Sequence, residues 1–365
     1  MIGNYQQDNA VRNVGFVGTS DLDVGSGDRS RAWSSVENGA SQPVVVGSIS
    51  TQVNSIDYTS KAAVWINGGA PIEISWESGA AINGDIMPQG AARDIAKIGS
   101  VLYAVGYNTR NDGQRLSASA FVSNDDGTTW STKYVPLPSD VNNYANSKLT
   151  NVNNNGVAIG EAKLSIRENQ AIPNKLFYVS NVADAALNYN NFSGSIFFTG
   201  ANGKAGGINN FNEVVGQIDY EKKGEVNGAP RARRAFVTTI GSVSTSPLAG
   251  QSRYLDDLTM GGGALSSNNQ YRIIDATDIN DAGVISGTAL YCSGGYDSQA
   301  INSTCQVGTQ GAEKLVAVKL VPIAAGKGRS IEPRPVDTES ISRSGGSLGW
   351  LALGLLTLLG FRRKQ

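Results

Sequence analysis

The sequence predicts an all-β protein, namely a β-propeller of repeated four-stranded antiparallel blades followed by a linker and one C-terminal hydrophobic helix. Three observations predict this fold: a phrase that recurs along the chain, a second strand-like motif after each copy, and an apolar run at the C-terminal end. The 44 glycines among 365 residues also favour a turn-rich β protein. We expect the repeats at 1–321, a polar linker at 322–344 and the tail at 345–365.

The repeats rest on one phrase that occurs three times with the same spacing. Each copy has a branched apolar residue, an Asn, a turn rich in Asn, Asp or Gly, and a strand-like run ending in Gly; the copies are 151–160, 207–216 and 278–287. Each phrase predicts a hairpin, with Asn153, Asn209 and Asn280 in the turns and Gly160, Gly216 and Gly287 at the ends. Looser copies end at Gly47 and Gly106. A half copy at Gly15–Gly18 indicates that the first blade is truncated.

A second motif follows the closing glycines after a polar loop. It consists of a small or apolar residue, an apolar or aromatic residue and a β-branched residue, at 62–65, 120–122, 176–179 and 235–237, with further strand-like runs at 71–74, 134–137 and 253–255. Strand, hairpin, strand, loop, strand, turn and strand describe one propeller blade. Because a single sheet leaves an apolar face in water, we expect the blades to stack and close. An open β-solenoid and a pair of β-sandwiches are the alternatives.

The C-terminal end predicts a membrane segment. No charged residue occurs from Gly345 to Phe361, and Arg362, Arg363 and Lys364 follow directly. As a helix this run would be about 25 Å long, at the short end of the spanning range. Cationic residues stay on the cytoplasmic side, so the bulk of the chain is expected outside the cytoplasm. A buried C-terminal core helix is the alternative.

The tail resembles the GlyGly-CTERM sorting signal of Gram-negative bacteria, through Gly345, Gly346, Ser347, the apolar run and the arginines at its end. The resemblance implies an inner-membrane-tethered precursor that a rhomboid-type sorting protease (rhombosortase) cuts near the glycine pair during export to the cell surface. The first residues, 1–11, have neither the positive nor the apolar region of a signal peptide. We therefore expect that the natural N-terminus lies upstream.

The repeats also carry a resemblance. The phrase at 278–287, with its Ala-Phe-Val partner, resembles the bacterial extracellular HAF repeat, although the chain lacks the histidine that begins that repeat. The order of elements from Gly15 to Val321 resembles an uncharacterised proteobacterial family of exported proteins. These resemblances imply a location and a repeat type, and no activity.

Composition excludes several chemistries. The chain has no histidine, which rules out a Ser-His-Asp triad, a Cys-His pair and an imidazole-ligated metal. The 30 basic and 31 acidic residues leave a net charge of -1, so nucleic acid is not an expected partner. Cys292 and Cys305 are predicted to form a disulfide in an oxidising compartment, with two free thiols as the alternative.

One local motif, at 123–130, fits the Asp-box pattern Ser-x-Asp-x-Gly-x-Thr-Trp of sialidase-type propellers. Its expected role is structural: Ser123 opens the motif, Asp125 accepts backbone N–H bonds, Gly127 supplies the unusual backbone angle, and Trp130 packs between strands. The alternative is a marker of a sialidase-like catalyst, which would also need an arginine cluster and a Tyr/Glu pair.

Two charged stretches carry further hypotheses. Asp21, Asp23 and Asp28 alternate with glycines and could wrap Ca²⁺, although their spacing fails the EF-hand pattern; otherwise no metal or cofactor is predicted. The basic run at 231–234 could hold an anionic surface polysaccharide, but a charge run beside a long loop is usually solvated.

The function that these features predict is binding without catalysis. A surface-anchored propeller outside the cytoplasm would bind a surface glycan or an envelope protein. The alternative is an extracellular glycan hydrolase that uses paired carboxylates. These residues are compatible with an enzyme but favour a protein without catalytic activity.

Overall fold

The computed structural model describes residues 3–5, 14–16, 29–112, 115–138, 143–225, 231–241, 251–261, 263–297, 300, 303–305, 313–323, 331 and 333. Over these residues the protein is all-β. Its helices are α1 (Asp256–Thr259) and one 3₁₀ segment (Gly263–Gln270). The tail, the linker from 334 onward and the acidic stretch with Asp21, Asp23 and Asp28 lie outside the described residues.

The strands form five larger antiparallel sheets, numbered here in chain order, and one two-stranded sheet of β1 (Gly3–Tyr5) and β2 (Val14–Phe16). Sheet 1 contains β3 (Arg29–Glu37), β4 (Pro43–Gln52), β5 (Tyr58–Ile66) and β6 (Ile72–Ile74). Sheet 2 contains β7 (Gly90–Ile98), β8 (Val101–Thr109), β9 (Leu116–Ser123) and β10 (Ser131–Tyr134). Sheet 3 contains β11 (Tyr144–Val152), β12 (Ala158–Leu164), β13 (Asn174–Val179) and β14 (Asn190–Asn191). Sheet 4 contains β15 (Gly203–Ile208), β16 (Glu213–Asp219), β17 (Arg233–Thr239) and β18 (Arg253–Tyr254). Sheet 5 contains β19 (Tyr271–Ile279), β20 (Ile285–Tyr291) and β21 (Lys314–Leu320).

Each sheet pairs its strands in sequence order, and its first strand packs on the sheet before it. Thus β7 contacts β3, β4 and β5, and β11 contacts β7, β8 and β9. The same arrangement recurs where β15 meets sheet 3 and where β19 meets sheet 4. The five sheets therefore stack in chain order.

The apolar core lies between the sheets. Each main buried cluster takes side chains from two consecutive sheets, as where Val64 of sheet 1 packs with Leu102 and Phe121 of sheet 2. The second sequence motif supplies the largest of these side chains, since Phe121, Phe177 and Phe236 are all fully buried. Burying one such side chain stabilises the fold by about 1.5–3 kcal/mol. No sheet could bury this surface alone, which is why the repeats occur as a stack.

The closing glycine of each repeat sits opposite a β-bulge. In all five sheets it pairs with the last residue before the bulge on the first strand, as Gly160 pairs with Leu149 and Gly216 with Ala205; the other pairs are Gly47–Ala32, Gly106–Ala92 and Gly287–Ala276. A Cβ atom at any of these glycines would lie 1.9–2.4 Å from a carbonyl oxygen of the first strand. Only glycine lets the bulged strand approach so closely.

The structure differs from the sequence prediction in three places. Sheet 5 has three strands within the described residues, where four were predicted. The fourth strand of sheet 2 ends at Tyr134 instead of covering 134–137, because Pro136 lacks the N–H that a ladder needs. The half copy at the N-terminus pairs as β2 with β1 in a separate sheet.

Candidate functional site

The densest group of buried charges lies at the end of sheet 4. Arg231 and Asp219 are both almost fully buried, and Arg231 Nη1 lies 3.3 Å from Asp219 Oδ2. Arg231 also donates to the carbonyl oxygens of Gly200 and Asn169. Burial raises the pKa of Asp219, against the lowering effects of the Asn202 N–H and the neighbouring arginines. The ion pair thus joins the loop before β15 to the other strands of sheet 4.

A second buried ion pair joins sheet 4 to sheet 5. Arg234 Nε lies 3.3 Å from Asp256 Oδ2, and Asp256 Oδ1 accepts the backbone N–H of Ile273 on β19 at 2.8 Å. The guanidinium of Arg234 also stacks over the ring of Tyr220, 4.4 Å from its centroid. Both charges of this pair are at most 4% exposed.

The expectation that the basic run 231–234 is solvated is wrong for Arg231 and Arg234, while Arg233 is partly exposed. Arg231 and Arg234 are 4% exposed, and Arg233 lies 3.4 Å from Asp219. The carboxylates that pair with them are distant in sequence, so the run alone did not reveal them. The signal that could have indicated burial is position: Arg233 and Arg234 directly precede the apolar β17 motif Ala235–Val237, within the same strand.

The repeat asparagines form the hairpin turns and connect one turn to the next. In each turn the Asn Oδ1 accepts two backbone N–H groups, those of Asn155 and Val157 for Asn153 and those of Phe211 and Glu213 for Asn209. Asn280 accepts the N–H groups of Ala282 and Val284 in the same way.

The amide nitrogens of these asparagines reach the following sheet. Asn153 Nδ2 donates to the Asn209 carbonyl oxygen at 2.9 Å, and Asn209 Nδ2 donates to the Asn280 carbonyl oxygen at 3.2 Å. We call this chain of bonds across sheets 3, 4 and 5 the asparagine ladder. Sheet 2 departs from the pattern, because Gly99 and Ser100 form its first hairpin turn instead of an Asn phrase.

The Asp-box residues occupy the hairpin between β9 and β10. Asp125 Oδ2 accepts the Thr129 hydroxyl at 2.6 Å, and Asp125 Oδ1 accepts the Thr129 N–H at 2.9 Å and the Ser123 hydroxyl at 2.8 Å. The bond from the Thr129 hydroxyl, followed by those from the Thr129 N–H and the Ser123 hydroxyl, lowers the pKa of Asp125. Gly127 has φ +96°, and Trp130 Nε1 donates to the Gly127 carbonyl oxygen. The neighbouring Asp126 accepts the Gly39 N–H at 2.7 Å, so the motif also binds the first hairpin of sheet 1.

Cys292 and Cys305 form a disulfide across 13 residues of chain. It closes the loop between β20 and β21, where Tyr296 and Cys305 also form an isolated bridge. The predicted bond is therefore present in the structure.

Two carboxylates hold the same position in different sheets, as the first paired residue after the bulge of the first strand: Asp94 in sheet 2 and Asp278 in sheet 5. Asp94 of sheet 2 accepts the N–H groups of Ile95 and Val152, and burial raises the pKa of Asp94. The charge of Asp278, on sheet 5, raises it further. Asp278 likewise accepts the N–H of the residue that follows it, Ile279.

Two recesses lie on the described surface, over sheets 1 and 2. One of about 170 Å³ lies over sheet 1, where Lys61 and Glu73 form an ion pair of 2.7 Å and Trp76 Nε1 donates to the Ser60 carbonyl oxygen. Pockets that enclose a drug-sized ligand are typically about 300–1,000 Å³. Within the described residues, no group of three or more Cys, Asp or Glu side chains could hold a metal ion.

The sorting motif (Gly345, Gly346, Ser347) and the basic cluster (Arg362, Arg363, Lys364) lie outside the described residues. None of the helices in the described part of the chain has the length and apolarity to cross a bilayer.

Comparison with solved structures shows distant likenesses. A protein of unknown function from Dyadobacter fermentans is 11% identical, with a TM-score of 0.39 over 80% of this chain and 76% of that one. An α-L-arabinanase of Penicillium chrysogenum, solved with arabinobiose, is 11% identical, with a TM-score of 0.37 over 81% of this chain and 82% of that one. An α-L-arabinofuranosidase of Fusarium graminearum is 12% identical, with a TM-score of 0.35 over 80% and 83%.

Sequence comparison is more decisive. Among curated proteins, no sequence matches the chain. One family profile matches residues 56–364, which span sheets 2 to 5, the last two strands of sheet 1 and nearly all of the tail. The chain therefore belongs to the family described as Protein of unknown function (DUF3466).

Proposed function

We propose that the stacked sheets close into a β-propeller that acts outside the cytoplasm as a non-catalytic binding module for a surface glycan or an envelope protein. In this proposal 1–321 is the propeller, 322–344 is the linker and 345–365 is a GlyGly-CTERM-type tail that a rhomboid-type protease processes. The HAF-like phrases are its blade hairpins.

The observation that carries the proposal is that the buried carboxylates bind neighbouring parts of the fold. Glu161 pairs with Lys148 and accepts the Ala205 N–H of the next sheet, and Asp256 likewise joins Arg234 to the next sheet. Asp219 holds a loop to its own sheet. These charges connect elements, and this favours a rigid scaffold whose loops and strand edges bind a partner.

Closure of the ring draws support from the first strands. Asp94 on sheet 2 and Asp278 on sheet 5 hold the same position after the bulges of their first strands, and the charge of Asp278 raises the pKa of Asp94 although two sheets separate them in the stack. An open stack would hold these two strands far apart, whereas a ring turns all first strands toward one axis.

Binding and hydrolysis can be separated by one experiment on the full chain. Immobilised neutral and acidic glycans are incubated with the protein, and both retained protein and released reducing ends are measured. We expect retention on at least one glycan without release of sugar. Sugar release that Asp94→Asn or Asp278→Asn abolishes would contradict the proposal and establish the hydrolase alternative.

The proposed tether has its own test. A chain that ends at Ser344 is expected to appear in the culture medium, whereas the full chain is retained in the membrane fraction until it is processed. Equal membrane retention of the two chains would refute the tether without affecting the binding function.

A further inference from the structure

Basic side chains recur at one position of the first strands, and in two sheets a carboxylate neutralises them. On each first strand, one residue pairs with the closing glycine of the second strand. The position in question is the residue directly before it on the first strand. Lys148 of sheet 3 lies 3.3 Å from Glu161, which is directly opposite it on β12. Lys204 of sheet 4 lies 2.7 Å from Asp275, which holds the same position in sheet 5. Neutralisation thus comes either from the neighbouring strand or from the next sheet.

Arg31 holds this position in sheet 1, and both neutralising sites around it lack a carboxylate. The residue opposite it on β4 is Ser48, where sheet 3 has Glu161. The equivalent position in the next sheet is Ala91, where sheet 5 has Asp275. In the part of the chain that the structure describes, no carboxylate comes within ion-pair distance of Arg31 or Arg93.

A tryptophan holds a second arginine next to Arg31. The guanidinium carbon of Arg31 lies 3.8 Å from the centroid of the Trp33 ring, and that of Arg93 lies 3.5 Å from it. Two guanidinium groups cannot share one face of a ring at these distances, so they stack on opposite faces. Trp33 and Arg93 are the extra residues of the bulges in sheets 1 and 2, which places both at the bulged part of the first strands.

The electrostatics at this place favour an anion. Burial lowers the pKa of Arg93, and the charge of Arg31 lowers it further, against the opposing effects of Tyr107 and Glu161. Glu161 is already bound to Lys148 and to the Ala205 N–H. Two cations are therefore held together by an indole ring, and an oxyanion would relieve their repulsion.

We propose that Arg31 and Arg93, held by Trp33, bind the carboxylate or sulfate groups of an acidic polysaccharide. The guanidinium fork matches the geometry of either oxyanion and can donate two parallel hydrogen bonds to it. This inference rests on the proposed binding function and names its ligand class. It also moves the anion site away from the run 231–234, whose charges Asp219 and Asp256 already neutralise.

The test is calorimetric titration of the full chain at low salt with polygalacturonate, dextran sulfate and uncharged dextran. We expect the wild type to bind one or both charged polymers and not dextran, and the preferred polymer identifies the oxyanion. Arg93→Gln and Arg31→Gln are each expected to weaken this binding at least tenfold. Arg167→Gln, which removes the same charge from an exposed loop, is the matched control and should change the affinity less than twofold.

Ser48→Glu gives an independent arm that retains both arginines. It places a carboxylate opposite Arg31, as Glu161 lies opposite Lys148, and is expected to weaken binding of the charged polymer at least tenfold while the thermal unfolding midpoint is kept. Full-affinity binding by Ser48→Glu and Arg31→Gln would overturn the anion site. Retention on the immobilised neutral glycans alone would overturn the anion site and leave the binding function standing, whereas retention on none of the immobilised glycans would overturn both the anion site and glycan binding.

Discussion

At the scale of single residues, the closing glycine explains why the repeats keep their form. Its hydrogen atom faces the carbonyl oxygen of a bulged strand, and in sheets 3 and 4 it also faces the ring of Phe177 or Phe236. The sequence shows that a glycine ends every copy of the phrase. It does not show why glycine is required, because the carbonyl oxygen that would clash with a Cβ atom belongs to another strand and its approach depends on the bulge.

Gly160→Ala tests this explanation. A Cβ atom would meet the Lys148 carbonyl oxygen at 2.3 Å and the Phe177 ring at 2.9 Å, so either the bulge or the buried ring must move. We expect a loss of about 3 kcal/mol in the free energy of unfolding, at the upper end of the range for overpacked core sites.

Gly99→Ala is the control for that substitution. Gly99 has φ +61°, and no atom lies within 4 Å of the position that a Cβ atom would take. An alanine there therefore costs only the strain of the left-handed backbone conformation. That cost is about 1–2 kcal/mol. Urea unfolding of both variants measures the difference, and an equal loss at the two sites would refute the steric account.

At the level of elements, the hairpin turns connect the strands of their own sheets. The asparagine ladder also joins the turns of sheets 3, 4 and 5 to one another. Asn209 is its middle member: its oxygen orders its own turn, and its nitrogen donates to the Asn280 carbonyl oxygen and to Glu213 Oε2. Turn formation was predictable from the phrase alone. The bonds between turns were not, because they depend on how one sheet is placed against the next.

Asn209→Asp should separate the two roles of this residue. The carboxylate still accepts the turn N–H groups, but it cannot donate, and it adds a negative charge beside Glu213. We expect a loss of about 2–3 kcal/mol in the free energy of unfolding at neutral pH.

Asn280→Asp is the matched variant at the end of the ladder. Within the described residues Asn280 uses its side-chain oxygen only, accepting from Ala282 and Val284, so a carboxylate can replace it. Chemical denaturation should show a loss of at most about 1 kcal/mol. Equal losses in Asn209→Asp and Asn280→Asp would mean that the ladder adds nothing to the turns.

The boundaries of elements were predicted less well than their order. The hairpins and the third strands around Phe121, Phe177 and Phe236 lie where the motifs indicated them. The short fourth strands were harder to predict: β14 is the pair Asn190–Asn191, two polar residues with no strand pattern of their own. Their pairing is set by the strand beside them, which local sequence does not contain.

The charged groups were predicted least. Arg231 finds Asp219 across the turn region between β16 and β17, and Arg93 meets Trp33 from another sheet. The arginines of the run 231–234 pair with Asp219 and Asp256, whereas Arg31 and Arg93, isolated in the sequence, have no carboxylate within ion-pair distance among the residues that the structure describes. Sequence shows how many charges there are, and the fold decides which of them neutralise each other.

At the level of the whole molecule, the ends of the stack decide whether the sheets form a closed ring. Each sheet buries one face on the sheet before it, so sheets 1 and 5 must either meet, directly or through further chain, or leave apolar surface in water. Sequence repeats predict stacking directly and closure only as the way to remove the exposed edges, since a solenoid and a propeller share the same neighbour contacts.

The most direct test of closure is a set of distances between spin labels at equivalent hairpin turns. Cysteines introduced at Ala40, Asn154 and Ala282, all exposed, report sheets 1, 3 and 5, while the native cysteines stay in their disulfide. In a closed propeller the distance from sheet 1 to sheet 5 is no longer than that from sheet 1 to sheet 3. A distance from sheet 1 to sheet 5 about twice that from sheet 1 to sheet 3, as a linear stack of evenly spaced repeats requires, would contradict the propeller.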